Sequence, residues 1–402
     1  MDLKEGPRPL ADGVYWVGVN DRVKELFESM WPLPHGVTYN AYVVVGGEAT
    51  ALIDTVHEDY AYEYLGRVMD AVGDLSKVKY LVVNHLEPDH HGATPYVLSR
   101  LKHVKAVVST TAARLLRTLY DIPEDRLIVV KDGDTLDLGG RTLRFISAPW
   151  LHWPETMFTY LQEDKILFTC DAFGSYGLLE KGLFDDEVEL ADYIKEARRY
   201  YANIVAKYGR NVLDALKKIE GLEVKMIAPS HGPIYRSHIG EIIALYRKWS
   251  APDPDKRKVV LVYGSMYGRG KKLADTIAQR LEKNGMSVVV FDASTTHPSY
   301  ILAELVDAYI LFLVHPTYDG DVFPPIQNLL YIIQMKEMGR GRAAAVVNTH
   351  MWTPTARRVV EMLRKAGFAL IEPVVETKAL PDRDALAKID ELISSTVKYS
   401  SL

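Results

Sequence analysis

The chain has 402 residues, 25% of them charged and 48% hydrophobic, which excludes a mostly disordered protein, a collagen and a coiled coil and predicts two or three domains. Its net charge of -5 gives no sign of nucleic-acid binding, and no run of about 18 apolar residues predicts a membrane span. Residues 1–7 are charged and lack the apolar core of a signal peptide, so we expect a cytoplasmic protein without nucleic-acid or membrane partners.

The first part of the chain mixes short strands with helices. Strand-like runs at 14–19, 39–45 and 50–54 are separated by turn residues. A helical stretch over 60–72 then precedes an apolar strand at 78–83. Because this alternation continues through the first part, we expect a sandwich of mixed sheets covered by helices.

A linker is expected at 250–258, where two prolines and several charges occur without a periodic apolar face. It follows a helical stretch at 239–249 and precedes an apolar strand at 259–263. The sequence therefore predicts two domains, residues 1–250 and residues 251–402.

The second part of the chain alternates apolar strands with amphipathic helices. The predicted strands are 259–263, 287–291, 308–313 and 343–348, and the predicted helices are 271–284, 298–306, 324–337 and 355–366. This alternation predicts a parallel sheet with helices on both faces.

One cysteine, Cys170, limits the metal chemistry of the chain. It excludes an internal disulfide and a four-cysteine iron–sulfur or rubredoxin-type site in this chain. Histidine, aspartate and glutamate must therefore hold any bound metal, and Cys170 is expected to be a buried strand residue.

Candidate metal ligands stand where predicted strands end. The strand at 78–83 leads directly into a polar segment with four potential ligands, His85, Glu87, Asp89 and His90. If this segment is extended, the first three share one side; a solvated polar loop is the alternative. Further candidates follow other strand-like runs, namely His152, Asp171 and His231. Since strand ends present chemistry to solvent, four imidazoles and three carboxylates predict a site for two metal ions.

This ligand pattern resembles the metallo-β-lactamase superfamily, whose loop reads His-x-His-x-Asp-His, but Glu87 replaces the second histidine. A carboxylate adds hard, anionic character and favours iron or manganese over zinc. The complete pattern is similar to the diiron signature of the flavodiiron proteins, and the resemblance spans essentially the whole chain. The fold it implies, of α/β and α+β class, is a metallo-β-lactamase-like αββα sandwich followed by a flavodoxin-like doubly wound parallel sheet.

The resemblance also implies a role for each candidate ligand. One iron would take His85, Glu87 and His152, and the other would take Asp89, His90 and His231. Asp171 would bridge them, because the two oxygens of one carboxylate can bind metals about 3.5–4 Å apart.

Tyr200 and Tyr201 match a family segment near this pocket. Tyr201 is the candidate catalytic residue, with a phenol that would hydrogen-bond the bound gas. A tyrosine that only packs in the core is the alternative.

Three loops at the ends of predicted parallel strands predict a flavin site. Segment 264–270 resembles the flavodoxin phosphate loop, in which small residues let backbone N–H groups approach a phosphate, but Gly270 replaces a threonine. Segment 315–321 resembles the family's Ser-Pro-Thr-Tyr loop, with His315 for serine. Segment 348–355 keeps a tryptophan but lacks the family's glycines. The predicted FMN-binding residues are Ser265, Met266, Tyr267, Gly268, Arg269, Gly270, Pro316, Thr317, Tyr318, Asp319, Gly320, Asn348, Thr349, His350, Met351 and Trp352.

The function that the resemblance implies is reduction of O2 to water, of NO to N2O, or of both; the same ligands serve either gas. Electrons would enter at FMN, which converts between two-electron and one-electron steps, and pass to the diiron centre. Family members form head-to-tail dimers that place one subunit's FMN beside the other's diiron centre, so a homodimer or a dimer of dimers is implied. The donor would be a separate molecule, either rubredoxin or reduced coenzyme F420.

Two other classes of function compete with this interpretation. The main alternative is a hydrolase of the metallo-β-lactamase superfamily, which uses a metal-bound hydroxide. Glu87 and the flavodoxin-like segment argue against it, because hydrolysis needs no flavin. The other alternative is an electron carrier or scaffold with a vestigial metal site, against which seven intact ligands argue.

Overall fold

The computed structural model describes residues 6–378 and 380–400. It divides into two compact units, Met1–Arg247 and Lys248–Leu402. The domain boundary that the sequence predicts, between residues 250 and 251, falls shortly after this division. None of the helices in the described residues has the length and apolar content that crossing a bilayer requires.

The first unit is built mainly from short strands, with helices between many of them. Its strands are β1 Arg8–Ala11, β2 Val14–Trp16, β3 Val19–Asp21, β4 Leu26–Phe27, β5 Trp31–Pro32, β6 Val37–Tyr39, β7 Tyr42–Val45, β8 Thr50–Ile53, β9 Val78–Val83, β10 Lys105–Ser109, β11 Leu127–Val130, β12 Thr135–Asp137, β13 Thr142–Ser147, β14 Met157–Leu161, β15 Ile166–Cys170 and β16 Met226–Pro229. Its helices are α1 Ala61–Val72, α2 Pro88–His91, α3 Thr94–Arg100, α4 Thr110–Tyr120, α5 Leu190–Tyr200, α6 Gly209–Ile219 and α7 Ile239–Ser250, which ends beyond the division. A π-helix, Tyr201–Val205, continues α5.

Two larger sheets of this unit pack face to face. Within the described residues, the first has the order β1-β2-β7-β8-β9-β10-β11 and the second the order β12-β13-β14-β15-β16. One hydrophobic core joins them, with Ile53 and Val107 from the first sheet and Phe145 and Phe168 from the second. Burial of such apolar faces contributes about 25 cal/mol per Å² and explains why these alternating strands form a sandwich.

The second unit has the strands β17 Asp255–Tyr263, β18 Ser287–Asp292, β19 Ala308–Tyr318, β20 Asp321–Val322, β21 Ala343–His350, β22 Ala369–Leu370 and β23 Val375–Lys378. Its helices are α8 Arg269–Lys283, α9 Pro298–Leu305, α10 Pro324–Met335, α11 Ala356–Lys365 and α12 Arg383–Tyr399. The main sheet has the order β18-β17-β19-β21-β22 and its neighbouring strands are parallel. The strand order therefore reverses between β17 and β19, where doubly wound sheets bind ligands.

The structure corrects two predicted boundaries in this unit. The linker expected at 250–258 is shorter, because β17 begins at Asp255. The loop expected at 315–321 begins later, because β19 continues to Tyr318 and pairs there with β20. The elements after residue 366, which end in α12, had no counterpart in the sequence prediction.

Candidate metal centre and flavin site

The predicted metal ligands lie after strands of the two sheets of the first unit. His85 follows β9, Asp171 directly follows β15, and His231 follows β16. His152 lies in the connection from β13 to β14, and the remaining ligands lie at or in α2. All seven are buried in the structure. The sandwich therefore brings residues from distant parts of the sequence to one interior site.

The ligand segment after β9 is extended only at its start. Glu87 has extended dihedrals, and the chain then turns into α2, which carries Asp89 and His90. The extended segment on which a shared side for His85, Glu87 and Asp89 depended therefore ends at Glu87. Pro88 favours the first helical position, and the turn that it begins directs Asp89 to a different group of donors.

The first group of donors comprises His85, Glu87, His152 and one oxygen of Asp171, with ligand atoms within 4.8 Å of one another. The His152 Nε2 atom lies 2.8 Å from Glu87 Oε2 and 3.5 Å from Asp171 Oδ2. The His85 Nε2 atom lies 3.3 Å from that same Asp171 oxygen. These donors surround a position for one cation.

The second group comprises Asp89, His90 and His231, whose ligand atoms also lie within 4.8 Å of one another. The Nε2 atoms of His90 and His231 lie 3.3 and 3.2 Å from Asp171 Oδ1. The His231 Nε2 atom is 3.2 Å from Asp89 Oδ2. Asp171 thus turns one carboxylate oxygen toward each group, which is the geometry of a bridging carboxylate.

Buried donor atoms without a partner show that these groups suit metal ions. Within the described residues, the Nε2 atoms of His85 and His231, both carboxylate oxygens of Asp89 and Oδ2 of Asp171 are buried and accept or donate no hydrogen bond. Buried polar atoms are rarely left in this state, because the desolvation cost is then uncompensated. Nitrogen and oxygen donors of this kind suit iron.

Burial and neighbouring charges act in opposite directions on these donors. Burial alone would lower the pKa of His85, but the hydrogen bond to Glu155 and the nearby carboxylates of Glu87 and Asp171 raise the pKa to about 9. Burial would also lower the pKa of His231, but the nearby carboxylates of Asp171 and Asp89 raise the pKa to about 9. Burial would raise the pKa of Asp171, but the charge of His90 holds the pKa well below its ordinary value. A metal ion must therefore displace protons from the imidazoles.

Removing the metal is expected to make stability depend on pH. The unfolded pKa of these histidines is about 6.5, below the folded values of about 9 for His85 and His231. Their protonation therefore stabilises the folded metal-free protein fully below pH 6.5, and this contribution is lost as the pH rises through about 9. We expect the melting temperature of the metal-free protein to fall by several degrees over this range, at about 2–4 °C per kcal/mol. Calorimetry of the metal-loaded protein is the control and should show no such fall, whereas a constant value for the metal-free protein would refute the assignment.

Residues outside the predicted set hold the ligands in place. The Glu155 carboxylate lies 2.7 Å from His85 Nδ1, and the His231 Nδ1–H donates to the Thr38 carbonyl at 2.6 Å. These contacts fix the ring orientations and leave Nε2 free to bind metal. Sequence reasoning missed Glu155, whose only signal was its place in the family-like segment that contains His152.

His91, which the sequence analysis did not assign, lies behind the ligands. Its Nε2 atom is 2.9 Å from Asp54 Oδ1, and its Nδ1 atom is 2.9 Å from Thr94 Oγ1. The other Asp54 oxygen accepts a hydrogen bond from Asn84 at 2.9 Å. This buried network connects the end of β9 to α2 and α3 and so stabilises the ligand segment.

Cys170 is buried at the end of β15, as expected. Its Sγ atom lies 3.8 Å from both ring nitrogens of His90. Burial raises the pKa of the thiol well above its ordinary value. Because the thiolate and not the thiol binds metals, this sulfur is a poor ligand.

The structure favours Tyr200 over Tyr201 as the phenol beside the metal ligands. The Tyr200 hydroxyl donates to Asp171 Oδ1 at 2.8 Å, and burial raises the pKa of Tyr200 well above its ordinary value. The Tyr201 ring instead lies 5.2 Å from the ring of Tyr246. The difference arises where α5 passes into the π-helix, whose wider turn changes the directions of successive side chains.

A small cavity reaches the ligands from the protein surface. It has a volume of about 170 Å³ and is lined by Lys24, Phe27, Glu28, His57, Glu87, Pro88 and Asp89. Pockets for larger organic ligands usually exceed about 300 Å³. The cavity is therefore better matched to a very small substrate than to an ester or phosphodiester.

The three predicted flavin loops lie together at the carboxyl ends of the parallel strands in the second unit's sheet. The first follows β17, and the other two begin within the last residues of β19 and β21; these strands are adjacent and parallel, with Tyr263 paired to Val314 and His315 paired to Asn348. The Ser265 Oγ, His315 Nε2 and His350 Nδ1 atoms are buried there and have no hydrogen-bond partner within the described residues. These unpaired atoms and the start of α8 suit a phosphate-bearing ligand such as FMN.

Aromatic and apolar side chains surround this edge. Tyr267 is 91% exposed, Trp352 is 77% exposed, and Met266, Tyr318 and Met351 are also exposed. Exposed aromatic rings at the end of a doubly wound sheet provide faces on which a flavin ring can stack.

The side chain of Asn348 connects two of the loops through hydrogen bonds. Its side-chain oxygen accepts the Thr355 N–H at 2.8 Å, and its amide donates to the His315 carbonyl at 3.1 Å. The Thr317 and Thr355 hydroxyls lie 3.0 Å apart beside it. The Asn348 side chain therefore closes the base of the 348–355 loop.

Comparison with known proteins supports both halves of the chain. A family model described as ODP family beta lactamase matches residues 37–232, and a flavodoxin model matches residues 261–390. The nitric oxide reductase of Moorella thermoacetica is 33% identical over 393 residues, which cover 96% of this chain and 97% of that protein. Rubredoxin oxygen:oxidoreductase from Desulfovibrio gigas superposes with a TM-score of 0.92 at 28% identity, and a variant of the flavo di-iron protein of Thermotoga maritima with 0.88 at 31%; each match covers 98% of both chains.

The fold and these matches define an oxidoreductase that combines a lactamase-like metal domain with a flavodoxin domain. The chain belongs to the flavodiiron protein family. The family, fold class and enzyme class that the sequence predicted are thereby confirmed.

Proposed function

We propose that this protein reduces O2 to water, NO to N2O, or both, at a diiron centre that receives its electrons through FMN. The observation that carries this proposal is the division of seven buried donors into two groups that share Asp171. The similar proteins are named for reactions with nitric oxide and with oxygen. The flavodoxin-like unit and the cluster of donors support FMN and two non-haem irons as cofactors.

The proposed ligand roles follow from the distances. His85, Glu87 and His152 would hold one iron, Asp89, His90 and His231 would hold the other, and Asp171 would offer one carboxylate oxygen to each. When bound, FMN and iron supply the electron-transfer chemistry of the reaction. The protein positions these groups and orients Asp171 through the Tyr200 hydroxyl.

The proposed FMN contacts are the residues of the three loops. The Ser265 hydroxyl and the backbone N–H groups at the start of α8 would bind the phosphate. Thr317, Asn348 and their neighbours would shape the ring pocket, with Trp352 at its edge. Residues 1–250 and 251–402 are proposed as the metal-binding and FMN-binding domains.

The partners form a second part of the proposal. A head-to-tail homodimer or a dimer of dimers would bring the FMN of one subunit to the diiron centre of the other, as the family resemblance implies. The electron donor is proposed to be a separate rubredoxin or reduced F420, and the name of the Desulfovibrio gigas relative supports the first of these. The cytoplasmic location stays a prediction.

Metal and flavin analysis of protein purified without oxygen tests the proposed cofactors against the hydrolase alternative. We expect two irons and one FMN per chain. The small cavity and the flavodoxin domain already disfavour a hydrolase. Two zinc ions and no flavin would support it.

Replacement of Tyr200 by phenylalanine is expected to lower gas turnover by about 10–100-fold, the usual effect of losing a group that orients a metal ligand. The variant loses the 2.8 Å hydrogen bond to Asp171 but retains the ring. Turnover of the variant is measured with a chemically reduced donor, with iron content as the control for ligand loss. Tyr201→Phe provides the comparison, since a greater loss there than at Tyr200 would contradict the geometric assignment.

A further inference from the structure

His85, a histidine of the first donor group, contacts the carboxylate of Glu155 through the ring nitrogen that faces away from the metal position. The Glu155 Oε1 atom lies 2.7 Å from His85 Nδ1 and also accepts the Leu86 N–H at 3.0 Å. Glu155 is buried, and its other oxygen has no hydrogen-bond partner within the described residues. A carboxylate that accepts two N–H bonds in a dry interior acts on the ring it contacts as an anion.

In the second donor group, the equivalent ring nitrogen of His231 contacts a neutral group instead of a carboxylate. The His231 Nδ1–H donates to the backbone carbonyl of Thr38 at 2.6 Å. The ring of His90 has the Cys170 sulfur at 3.8 Å, a contact with a thiol. Each group contributes two imidazoles and one carboxylate of its own and shares Asp171. Glu155 therefore breaks the near-equivalence of the two groups.

A hydrogen-bonded anion makes a metal-bound imidazole a stronger donor. Stronger donation and added negative charge stabilise a metal ion more in its higher oxidation state, so the reduction potential falls. A backbone carbonyl has no net charge and has a smaller effect. The charge of Glu155 thus affects the metal position of the first donor group more than that of the second.

We propose that Glu155 is a positioning residue that makes the two irons electronically different, by lowering the reduction potential of the iron held by His85 below that of the iron held by His231. The proposal rests on the diiron cofactor of the proposed function. The iron held by His85 would then be the easier of the two to oxidise.

The test is a redox titration of the iron-loaded protein, followed by electron paramagnetic resonance and Mössbauer spectroscopy. In the unchanged protein we expect two separate one-electron steps at the diiron centre. Glu155→Gln retains the shape of the side chain and an oxygen for both hydrogen bonds but removes the charge. We expect the lower-potential step to shift upward by about a tenfold change in its equilibrium constant, or about 59 mV, while the higher-potential step stays in place.

Ser109→Ala is the matched control, because the Ser109 hydroxyl donates to the backbone carbonyl of Glu155 and not to its carboxylate. It should leave both potentials unchanged. The inference is overturned if both steps shift equally in Glu155→Gln, if neither shifts, or if Ser109→Ala reproduces the shift. Should Glu155→Gln fail to fold, the unchanged protein still tests the inference. Two irons that are reduced together at one potential would overturn the inference.

Iron content separates failure of this inference from failure of the proposed function. A chain that binds no iron contradicts the proposed function. A chain with two irons whose potentials ignore Glu155 contradicts this inference alone.

Discussion

Replacement of Asp171 by alanine is expected to abolish gas reduction and to leave flavin reduction intact. Asp171 directs Oδ2 toward His85 and His152 and directs Oδ1 toward His90 and His231. Its loss removes a ligand from both groups at once and leaves buried imidazoles without their carboxylate. We expect a fall in gas turnover greater than the about 10–100-fold that follows loss of a residue that only supports a ligand.

The measurement compares O2 and NO consumption with the rate at which a chemical donor reduces the flavin. Asp164→Ala is a matched control, because Asp164 lies near the opposite end of β15 and its carboxylate pairs with Arg141 at 3.0 Å. That variant should retain gas turnover. An Asp171→Ala protein that keeps two irons and normal turnover would show that this carboxylate is not the bridge.

Replacement of Gly270 by threonine, the residue at this position of the flavodoxin phosphate loop that segment 264–270 resembles, is expected to weaken FMN binding here. A Cβ atom at Gly270 would lie 2.5 Å from the Gly264 carbonyl oxygen and 3.2 Å from Ser265 Cβ. The obstacle is backbone, so either α8 or the loop must move, at a cost of about 1–3 kcal/mol. Because the moving segment carries the N–H groups that would bind the phosphate, we expect FMN affinity to fall by about tenfold or more.

Titration of flavin-free protein with FMN, followed by quenching of flavin fluorescence, measures this change. Lys272→Thr is the control, since Lys272 is exposed in the same first turn of α8 and a threonine there meets no backbone. It should bind FMN nearly as tightly as the unchanged protein. A Gly270→Thr protein with equal or higher affinity would show that the close approach is not needed.

Much of the fold followed from local patterns in the sequence. The strand predicted at 78–83 has those bounds in the structure, because it is a nearly continuous apolar run bounded by polar residues. The alternation in the second half correctly predicted a parallel sheet, and segment 264–270 lies at its topological switch point. After residue 366, β22 has only two residues and β23 only four, which is too short for periodicity to identify. The 17-residue helix α12 is long enough to show periodicity, but the sequence prediction did not extend to it.

The grouping of the metal ligands was only partly predictable. Residue types and the family resemblance gave the ligand set, and the structure shows two groups around Asp171. Spacing alone assigned Glu87 and Asp89 to one side, since it could not anticipate that Pro88 starts a helical turn between them. The contact of the Tyr200 hydroxyl with Asp171 was not predicted, because the π-helix at Tyr201–Val205 has no signal in apolar periodicity.

Contacts between residues far apart in sequence were beyond local reasoning. Glu155 precedes β14 of one sheet and contacts His85, which follows β9 of the other sheet. Thr38 contacts His231 through its backbone carbonyl, a group that any residue type could supply. Only the folded chain shows that one of these partners is charged and the other neutral.

Gas consumption by the reduced protein tests the central claim most directly. Protein that carries two irons and one FMN per chain is reduced with a chemical donor in the absence of oxygen and mixed with a known amount of O2 or NO, while gas loss and flavin reoxidation are recorded together. We predict that at least one gas is consumed in proportion to the electrons that the protein holds. Consumption of neither gas by protein with both cofactors bound would contradict the account.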